Sequence, residues 1–98
     1  MPRYMTIGKL MMTPGHRPVA EGIADQGAPG MATMPGFQSV TFFLDEERSE
    51  YGAVSVWDSR EAAEQADAAL TPEFEKAFGD LLQGSITTQI YEIYEHKS

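Results

Sequence analysis

Aromatic rings and hydroxyl groups on strand-like segments are the side chains of this sequence with the clearest capacity for chemistry. The set consists of Tyr4, Phe37, Phe43, Tyr51, Ser55, Trp57 and Tyr91. Pockets for small molecules combine aromatic walls with a few placed polar groups, so we expect these residues to bind a substrate. They would hold a planar phenolic compound by stacking and hydrogen bonds, and would favour its ionised form.

Three residues are candidates for a direct catalytic role, namely Trp57, Tyr51 and His16. Histidine titrates near neutral pH and serves as a general acid or base in many enzymes. His16 lies in a turn-like segment between Gly15 and Pro18, however, and a lone loop histidine is more commonly just solvated. Trp57 ends a strand-like segment, where a packing role and a substrate-lining role are both open.

Composition excludes several classes of function. The chain has no cysteine, which rules out disulfides, thiolate catalysis and cysteine-ligated metal centres. No metal motif and no glycine-rich phosphate loop is present, so we expect neither a metal nor a cofactor. Fifteen acidic against seven basic residues give a formal net charge of -8, which opposes binding to nucleic acid and to anionic membranes.

The amino-terminal segment enters a strand pattern directly, without the long apolar stretch of a signal peptide. No apolar run approaches the ~20 residues that span a bilayer. We therefore expect a cytoplasmic protein.

The elements that position the candidate residues alternate in type along the chain. Strand patterns cover residues 4–12, 37–44, 51–57 and 86–95, with helical patterns after the first and the third. The order is β-α-β-β-α-β, a split βαβ of ferredoxin-like type. We predict one α+β domain over residues 1–98, with both helices on one face of a four-stranded antiparallel sheet.

Glycine and proline affect the prediction for both helices. The first helix is expected to be short or broken, because Gly27-Ala28-Pro29-Gly30 interrupts it. The second begins with Asp58 or Ser59 as its cap, restarts at Thr71-Pro72 and ends near Gly84.

Residues two apart in a strand share a face, which allows the central hairpin to be sorted. One predicted face holds Val40, Phe42, Leu44, Val54 and Val56, and the other holds Phe37, Ser39, Thr41, Phe43, Tyr51, Ala53, Ser55 and Trp57. Neither face is charged, so both must be covered, and two helices cover only one. We expect the first face to pair with a second subunit, and the second, under the alanines at 62, 63, 66 and 69, to form the pocket.

Three stretches carry a resemblance to a known family: Pro35-Gly36-Phe37, the hairpin end from Val54 to Ala63 that contains Trp57-Asp58-Ser59-Arg60-Glu61, and Tyr91-Glu92-Ile93-Tyr94. The chain resembles, over nearly its whole length, the antibiotic biosynthesis monooxygenase-like family of dimeric α+β barrels. The resemblance implies a homodimer whose two sheets form a barrel, with a pocket between each sheet and its helices. Some members of that family oxidise polycyclic aromatic substrates with dioxygen and without a cofactor, and others degrade haem.

The haem-degrading members carry an asparagine on the first strand, a tryptophan that matches Trp57, and a histidine ligand on the following helix. Here Gly8 stands at the first-strand position, and Asp67 stands near the place of the histidine. The resemblance therefore disfavours haem degradation, because the iron would lack its axial imidazole.

Three functions are compatible with these features. One is a cofactor-independent monooxygenase, or a related enzyme, acting on a small aromatic or polyketide-like compound. Another is a non-catalytic dimeric protein that binds a small molecule or serves in a stress response. The third is a dimerisation module in which the aromatic residues fill a core with no pocket, so a cavity beside Trp57 separates it from the other two.

Overall fold

The computed structural model describes residues 2–97. Its elements are β1 Tyr4–Met12, α1 Arg17–Ala32, β2 Phe37–Asp45, β3 Glu50–Trp57, α2 Arg60–Phe78, a 3-10 turn Gly79–Leu81 and β4 Leu82–Glu92. The strands form one antiparallel sheet in the order β2-β3-β1-β4. Both helices pack on one face of it. The predicted ferredoxin-like α+β fold is confirmed.

The first helix, α1, continues unbroken through Pro29, so the prediction of a short or broken helix is wrong. Glycine and proline disfavour a helix interior by roughly 1 and 3 kcal/mol, but tertiary contacts override that preference here. Met31, in the last turn, is buried in a cluster with Trp57. Gly27 lets α2 approach so closely that a Cβ there would lie 2.9 Å from the ring of Phe74. The segment that was expected to break α1 therefore packs it against α2 and the sheet.

The second helix, α2, is also continuous, with Pro72 inside it, and the predicted restart does not occur. Ser59 is its cap, and the side-chain oxygen accepts a hydrogen bond from the backbone N–H three residues on, at 3.1 Å. The helix ends before Gly79, whose φ of 54° favours glycine. The predicted end near Gly84 is too late, and β4 correspondingly begins earlier than expected.

A bulge in β2 changes which residues of the hairpin share a face. Phe37 pairs with Trp57 but Ser39 pairs with Val56, so β2 carries one extra residue between these pairs. Beyond the bulge Val40 pairs with Ser55, Phe42 with Ala53, and Leu44 with Tyr51. Alternation holds in β3 and in β2 beyond the bulge, but the predicted grouping of the two strands is wrong there, because the bulge shifts their relative phase.

The sheet therefore has two faces of a different composition from those predicted. The inner face, which the helices cover, combines the large apolar side chains of β2 with the hydroxyls and aromatic rings of β3. The outer face carries Met5, Ile7, Val54, Val56 and Tyr91. No helix of residues 2–97 packs on the outer face.

Candidate functional site

A cavity of about 250 Å³ lies between the inner face and the helices. Its floor is the centre of the sheet, where Gly8 of β1 pairs with Ala53 of β3. A Cβ at Gly8 would meet only Thr88 Cγ2 at 3.6 Å and the Thr87 carbonyl oxygen at 3.9 Å. Small residues thus leave open space at the centre of the sheet. Its volume lies just below the roughly 300 Å³ at which typical ligand pockets begin, which favours a small ligand.

The walls of the cavity are largely apolar. They include Ile23, Ala24 and Met31 of α1 and Ala66, Leu70 and Phe74 of α2. On β2 the cavity is lined by Phe42 and Leu44, each of which remains 38% exposed. The cavity is therefore least enclosed along this edge strand, which is where a ligand would gain access.

One carboxylate interrupts the apolar wall of α2. Asp67 Oδ1 accepts a hydrogen bond from Thr71 Oγ1 at 2.7 Å, and its Oδ2 accepts one from Thr88 Oγ1 of β4 at 3.0 Å. Each carboxylate oxygen keeps further capacity to accept. Within residues 2–97 no basic side chain forms an ion pair with Asp67. The group is positioned by two hydroxyls and can accept a hydrogen bond from a ligand.

Two hydroxyls lie together at another point of the cavity floor. Thr6 of β1 and Ser55 of β3 are cross-strand partners. Ser55 Oγ accepts a hydrogen bond from Trp57 Nε1 at 2.9 Å and keeps its own O–H to donate. Thr6 is only 9% exposed, and its Oγ1 is buried without a partner in the described chain. An unpaired buried polar group costs about 1–3 kcal/mol, so the Thr6 hydroxyl lowers the stability of the sheet at this point.

Charged side chains stand at the rim beside β2. Glu21 of α1 lines the cavity, and its Oε2 accepts a hydrogen bond from Arg17 Nε at 3.2 Å. Arg17 also reaches Glu46 of the β2–β3 loop at 3.2 Å. The hydrogen bond to Glu21 is the main cause that raises the pKa of Arg17 above its ordinary value. Two carboxylates and one guanidinium therefore leave the rim acidic.

Trp57 anchors one wall of the cavity. The indole is 1% exposed and packs in a buried cluster with Met31, Ala63 and Ala66. The ring of Phe37 meets it edge to face, with centroids 5.6 Å apart. Trp57 borders the cavity, but most of its surface packs against other side chains.

The structure brings some of the predicted site residues together and separates others. Those whose side chains line the cavity are Tyr51, Ser55 and Trp57. Phe43 borders the cavity, but it pairs with Gly52 and its ring lies over that glycine on the outer face. Tyr4 and Phe37 pack near Trp57 outside the lining, and the Tyr4 ring lies 5.2 Å from the guanidinium carbon of Arg60.

Tyr91 and His16 lie apart from the cavity. Tyr91 projects from the outer face and is 45% exposed. His16 precedes α1, where its carbonyl oxygen accepts hydrogen bonds from the N–H groups of Val19 and Ala20. Neither residue is among those that line the cavity.

Several lining residues were not among the predicted site residues, chiefly Thr6, Phe42, Leu44, Asp67, Thr71 and Thr88. Asp67 could have been predicted to face inward, because it lies on the apolar stripe of α2 that includes Ala63, Ala66 and Leu70. Thr6 could have been predicted to do the same, since it alternates with Leu10 and Met12 on β1. Phe42 and Leu44 were assigned to the wrong face because of the bulge.

The described residues were also searched for a metal site and for a membrane-spanning helix. Residues 2–97 contain no group of three or more histidine, cysteine, aspartate or glutamate side chains placed to hold a metal ion. No helix among them is long and apolar enough to cross a membrane.

Comparison with known proteins places this fold in a wider group. Residues 3–78 match the model of the family described as antibiotic biosynthesis monooxygenase. A candidate antibiotic biosynthesis monooxygenase from Chloroflexus aurantiacus J-10-fl is 26% identical with a TM-score of 0.65, and the match covers 98% of this chain and 97% of that chain. No curated protein matches this chain significantly.

More distant solved structures share the fold alone. A candidate antibiotic biosynthesis monooxygenase from Bordetella bronchiseptica is 16% identical with a TM-score of 0.77, and the match covers 97% of this chain and 100% of that chain. A protein of unknown function from Nitrosomonas europaea is 14% identical with a TM-score of 0.78, and the match covers 100% and 95% of the respective chains. The same fold is thus found in proteins named for an activity and in proteins of unknown function.

Proposed function

The chain belongs to the antibiotic biosynthesis monooxygenase family, and on that premise we propose that it is a cofactor-independent monooxygenase, or a related enzyme, for a small aromatic or polyketide-like compound. The observation that carries the proposal is the cavity on the inner face, which combines apolar walls with a few placed hydroxyls and one carboxylate. We further propose that residues 1–98 act as one domain, as a homodimer and in the cytoplasm.

In the proposed reaction dioxygen oxidises an electron-rich substrate anion directly. A ring CH2 group loses two hydrogens and gains one oxygen atom as a carbonyl, while the second oxygen atom leaves with those hydrogens as water. The substrate supplies the electrons and dioxygen accepts them, so the balance needs no other oxidant. The contribution of the protein is to hold the planar ring away from water and to stabilise the anion by hydrogen bonds.

Among the residues predicted to be catalytic, Trp57 and Tyr51 stay candidates because both border the cavity. Tyr51 is 7% exposed, so a ligand in the cavity would contact it with little competition from solvent. Ser55 is proposed to bind the substrate for the same reason, whereas the ring of Phe43 lies on the outer face and is not proposed to do so. His16 lies outside the lining, which favours its interpretation as a loop residue.

Oxygen consumption with a panel of anthrones and quinols tests the proposal. We expect uptake of dioxygen in step with formation of the carbonyl product, and about tenfold slower turnover in Gly8→Val, whose side chain would occupy the cavity floor. Asp25→Asn, an exposed carboxylate of α1 outside the lining, is the control and should keep wild-type turnover. Tight binding of the panel without any oxygen uptake would support the alternative function, a non-catalytic binding or stress-response protein.

The proposed homodimer forms through the outer face. Its support is a set of apolar side chains on β1, β3 and β4 that no helix of the described chain covers. Light scattering at micromolar concentration should give twice the chain mass of 10.8 kDa. Val54→Asp should return the monomer mass, because it would bury a charge in the contact, whereas Ala68→Asp on the exposed side of α2 should not. A monomer mass for the unaltered protein would refute the dimer.

A further inference from the structure

We propose that the gap between α1 and α2 is a second entrance to the cavity, through which dioxygen passes when the ring of Phe74 turns aside. The entrance itself is independent of the proposed function, and only the choice of dioxygen rests on it. Three features carry the inference: a groove between the helices that opens to solvent, a wall one side chain thick, and a ring in that wall with space on both sides.

A groove of about 190 Å³ lies between the two helices. Its rim opens to solvent, with the exposed Gln26 of α1 and Glu73 of α2. Three of its other lining residues, Ile23, Leu70 and Phe74, line the cavity on the inner face as well. The groove and the cavity are therefore separated by one layer of apolar side chains.

Phe74 is the member of this layer that spans the gap between the helices. Its ring extends from α2 to the backbone of α1 at Gly27, where an added Cβ would stand 2.9 Å from Phe74 Cζ. Glycine offers no side chain to hold that edge of the ring. Because the groove and the cavity both border it, the ring has fewer packing partners than a ring in a filled core. A change of side-chain rotamer then opens the layer without moving either helix.

The layer favours an apolar molecule. Its three side chains offer no hydrogen bond, so a polar molecule that crosses it gives up its hydrogen bonds to water without replacement. Dioxygen makes no strong hydrogen bonds and is smaller than any side chain in the layer. It therefore crosses at a lower cost than a polar molecule of similar size.

A second entrance has a use in the proposed reaction, which brings two reactants into one cavity. The cavity is least enclosed along β2, where Phe42 and Leu44 are 38% exposed, and an organic substrate that enters there would fill the opening. Dioxygen that arrives between the helices reaches the bound substrate without displacing it. The two openings therefore serve different reactants.

The fluorescence of Trp57 measures this passage. Trp57 is the single tryptophan of the chain, lines the cavity and is 1% exposed, so dioxygen must enter the protein to quench it. Fluorescence lifetimes recorded under increasing oxygen pressure give the rate constant of quenching. Acrylamide, a polar quencher, provides the comparison because the apolar layer disfavours its passage.

Three variants test the route. Ala77→Phe fills the groove from its exposed side, since Ala77 lines the groove but not the cavity. The rate constant for dioxygen should fall about twofold, because one of two entrances is then closed. Phe74→Leu shortens the side chain that spans the gap and should raise that rate constant by a similar factor. Ala68→Phe adds the same ring on the exposed side of α2, outside both linings, and should leave it unchanged.

Quenching by acrylamide separates the route from a general effect on the fold. It should stay the same in all three variants, whereas a loosened fold would raise it together with quenching by dioxygen. If Phe74→Leu does not fold, Ala77→Phe still carries the test, because it changes an exposed residue. Equal quenching by dioxygen in the unaltered protein and in Ala77→Phe would overturn the entrance. An equal fall in Ala77→Phe and Ala68→Phe would do the same.

The outcomes are distinct from those of the proposed function. Unchanged quenching would leave the enzyme open to support from oxygen uptake, and the expected quenching without oxygen uptake would uphold the entrance and argue against the monooxygenase. In an active enzyme, Ala77→Phe should raise the KM for dioxygen about twofold and leave the KM for the organic substrate unchanged. A rise in both would place the effect in the cavity and overturn the entrance.

Discussion

The inner face of the sheet is filled at one end and hollow at its centre. At the filled end Trp57 is almost fully buried against Met31, Ala63 and Phe37. At the hollow centre Gly8 and Ala53 leave a cavity whose polar groups include one without a partner. The two regions lie within a few residues of each other on the same strands. This contrast shows that one layer of side chains can stabilise the fold by close packing at one end. At another place the same layer leaves a cavity for a ligand, which lowers stability.

The filled end should give the largest loss of stability. Trp57→Ala removes a buried indole and leaves Ser55 Oγ without its partner, so we expect the free energy of unfolding to fall by about 3–5 kcal/mol. Trp57→Phe should cost less, because it keeps most of the packed volume. Chemical denaturation measures both, and a loss below about 1 kcal/mol for Trp57→Ala would show that this end is not the anchor.

Two glycines, one on each face of the sheet, offer a matched pair. A Cβ at Gly52 would collide with the Phe43 ring and with the Gly8 carbonyl oxygen, whereas a Cβ at Gly8 makes only ordinary contacts. We expect Gly52→Ala to destabilise by about 1–3 kcal/mol. Gly8→Ala should leave the fold intact, yet weaken binding of a ring by raising the cavity floor. Equal effects of the two substitutions on stability would mean that the floor at Gly8 is not free.

Replacing the unpartnered hydroxyl should stabilise the protein. Thr6→Val exchanges a buried polar atom for a methyl group of similar shape, and we expect a gain of about 1 kcal/mol. In a domain of this size that gain corresponds to a melting temperature roughly 4–8 °C higher. A lower melting temperature would show that Thr6 already has a partner in solution, such as a bound water.

The smallest effect is expected at the rim. Arg17→Gln removes the ion pairs to Glu21 and Glu46, but all three side chains are exposed and such pairs contribute little in water. The denaturation midpoint should stay essentially unchanged. A large loss of stability would place Arg17 in the framework of the fold instead.

The sequence motif that carries the family resemblance lies where two strands and a helix meet. The carbonyl oxygen of Gly36, a residue with φ of 82°, accepts the N–H of Asp58 at 2.9 Å, and Ser59 then caps α2. Pro35-Gly36-Phe37 and Trp57-Asp58-Ser59 thus meet where β2 begins and β3 ends. This geometry explains why the motif predicted the fold well and the activity only as a possibility, since its polar contacts serve the backbone.

The helices show where local preference was insufficient. Gly27, Pro29 and Pro72 indicated breaks, because glycine and proline are poor helix formers in isolation. In the fold, close contact of Gly27 with Phe74 and burial of Met31 outweigh that preference. Such contacts join residues far apart in the chain. Helix propensity is a property of single residues and does not include them.

The sequence by itself determined the order of the elements, the antiparallel sheet and the apolar character of both its faces, because these depend on local periodicity and turn residues. Only the tertiary structure decided which residues share a face and where space remains. One extra residue in β2 changes which of its side chains share a face with those of β3. The alternation pattern of a single strand does not predict such an insertion. The approach of Asp67 to Thr88, and the hydroxyl of Thr6 left without a partner, arise in the same way from register and helix docking.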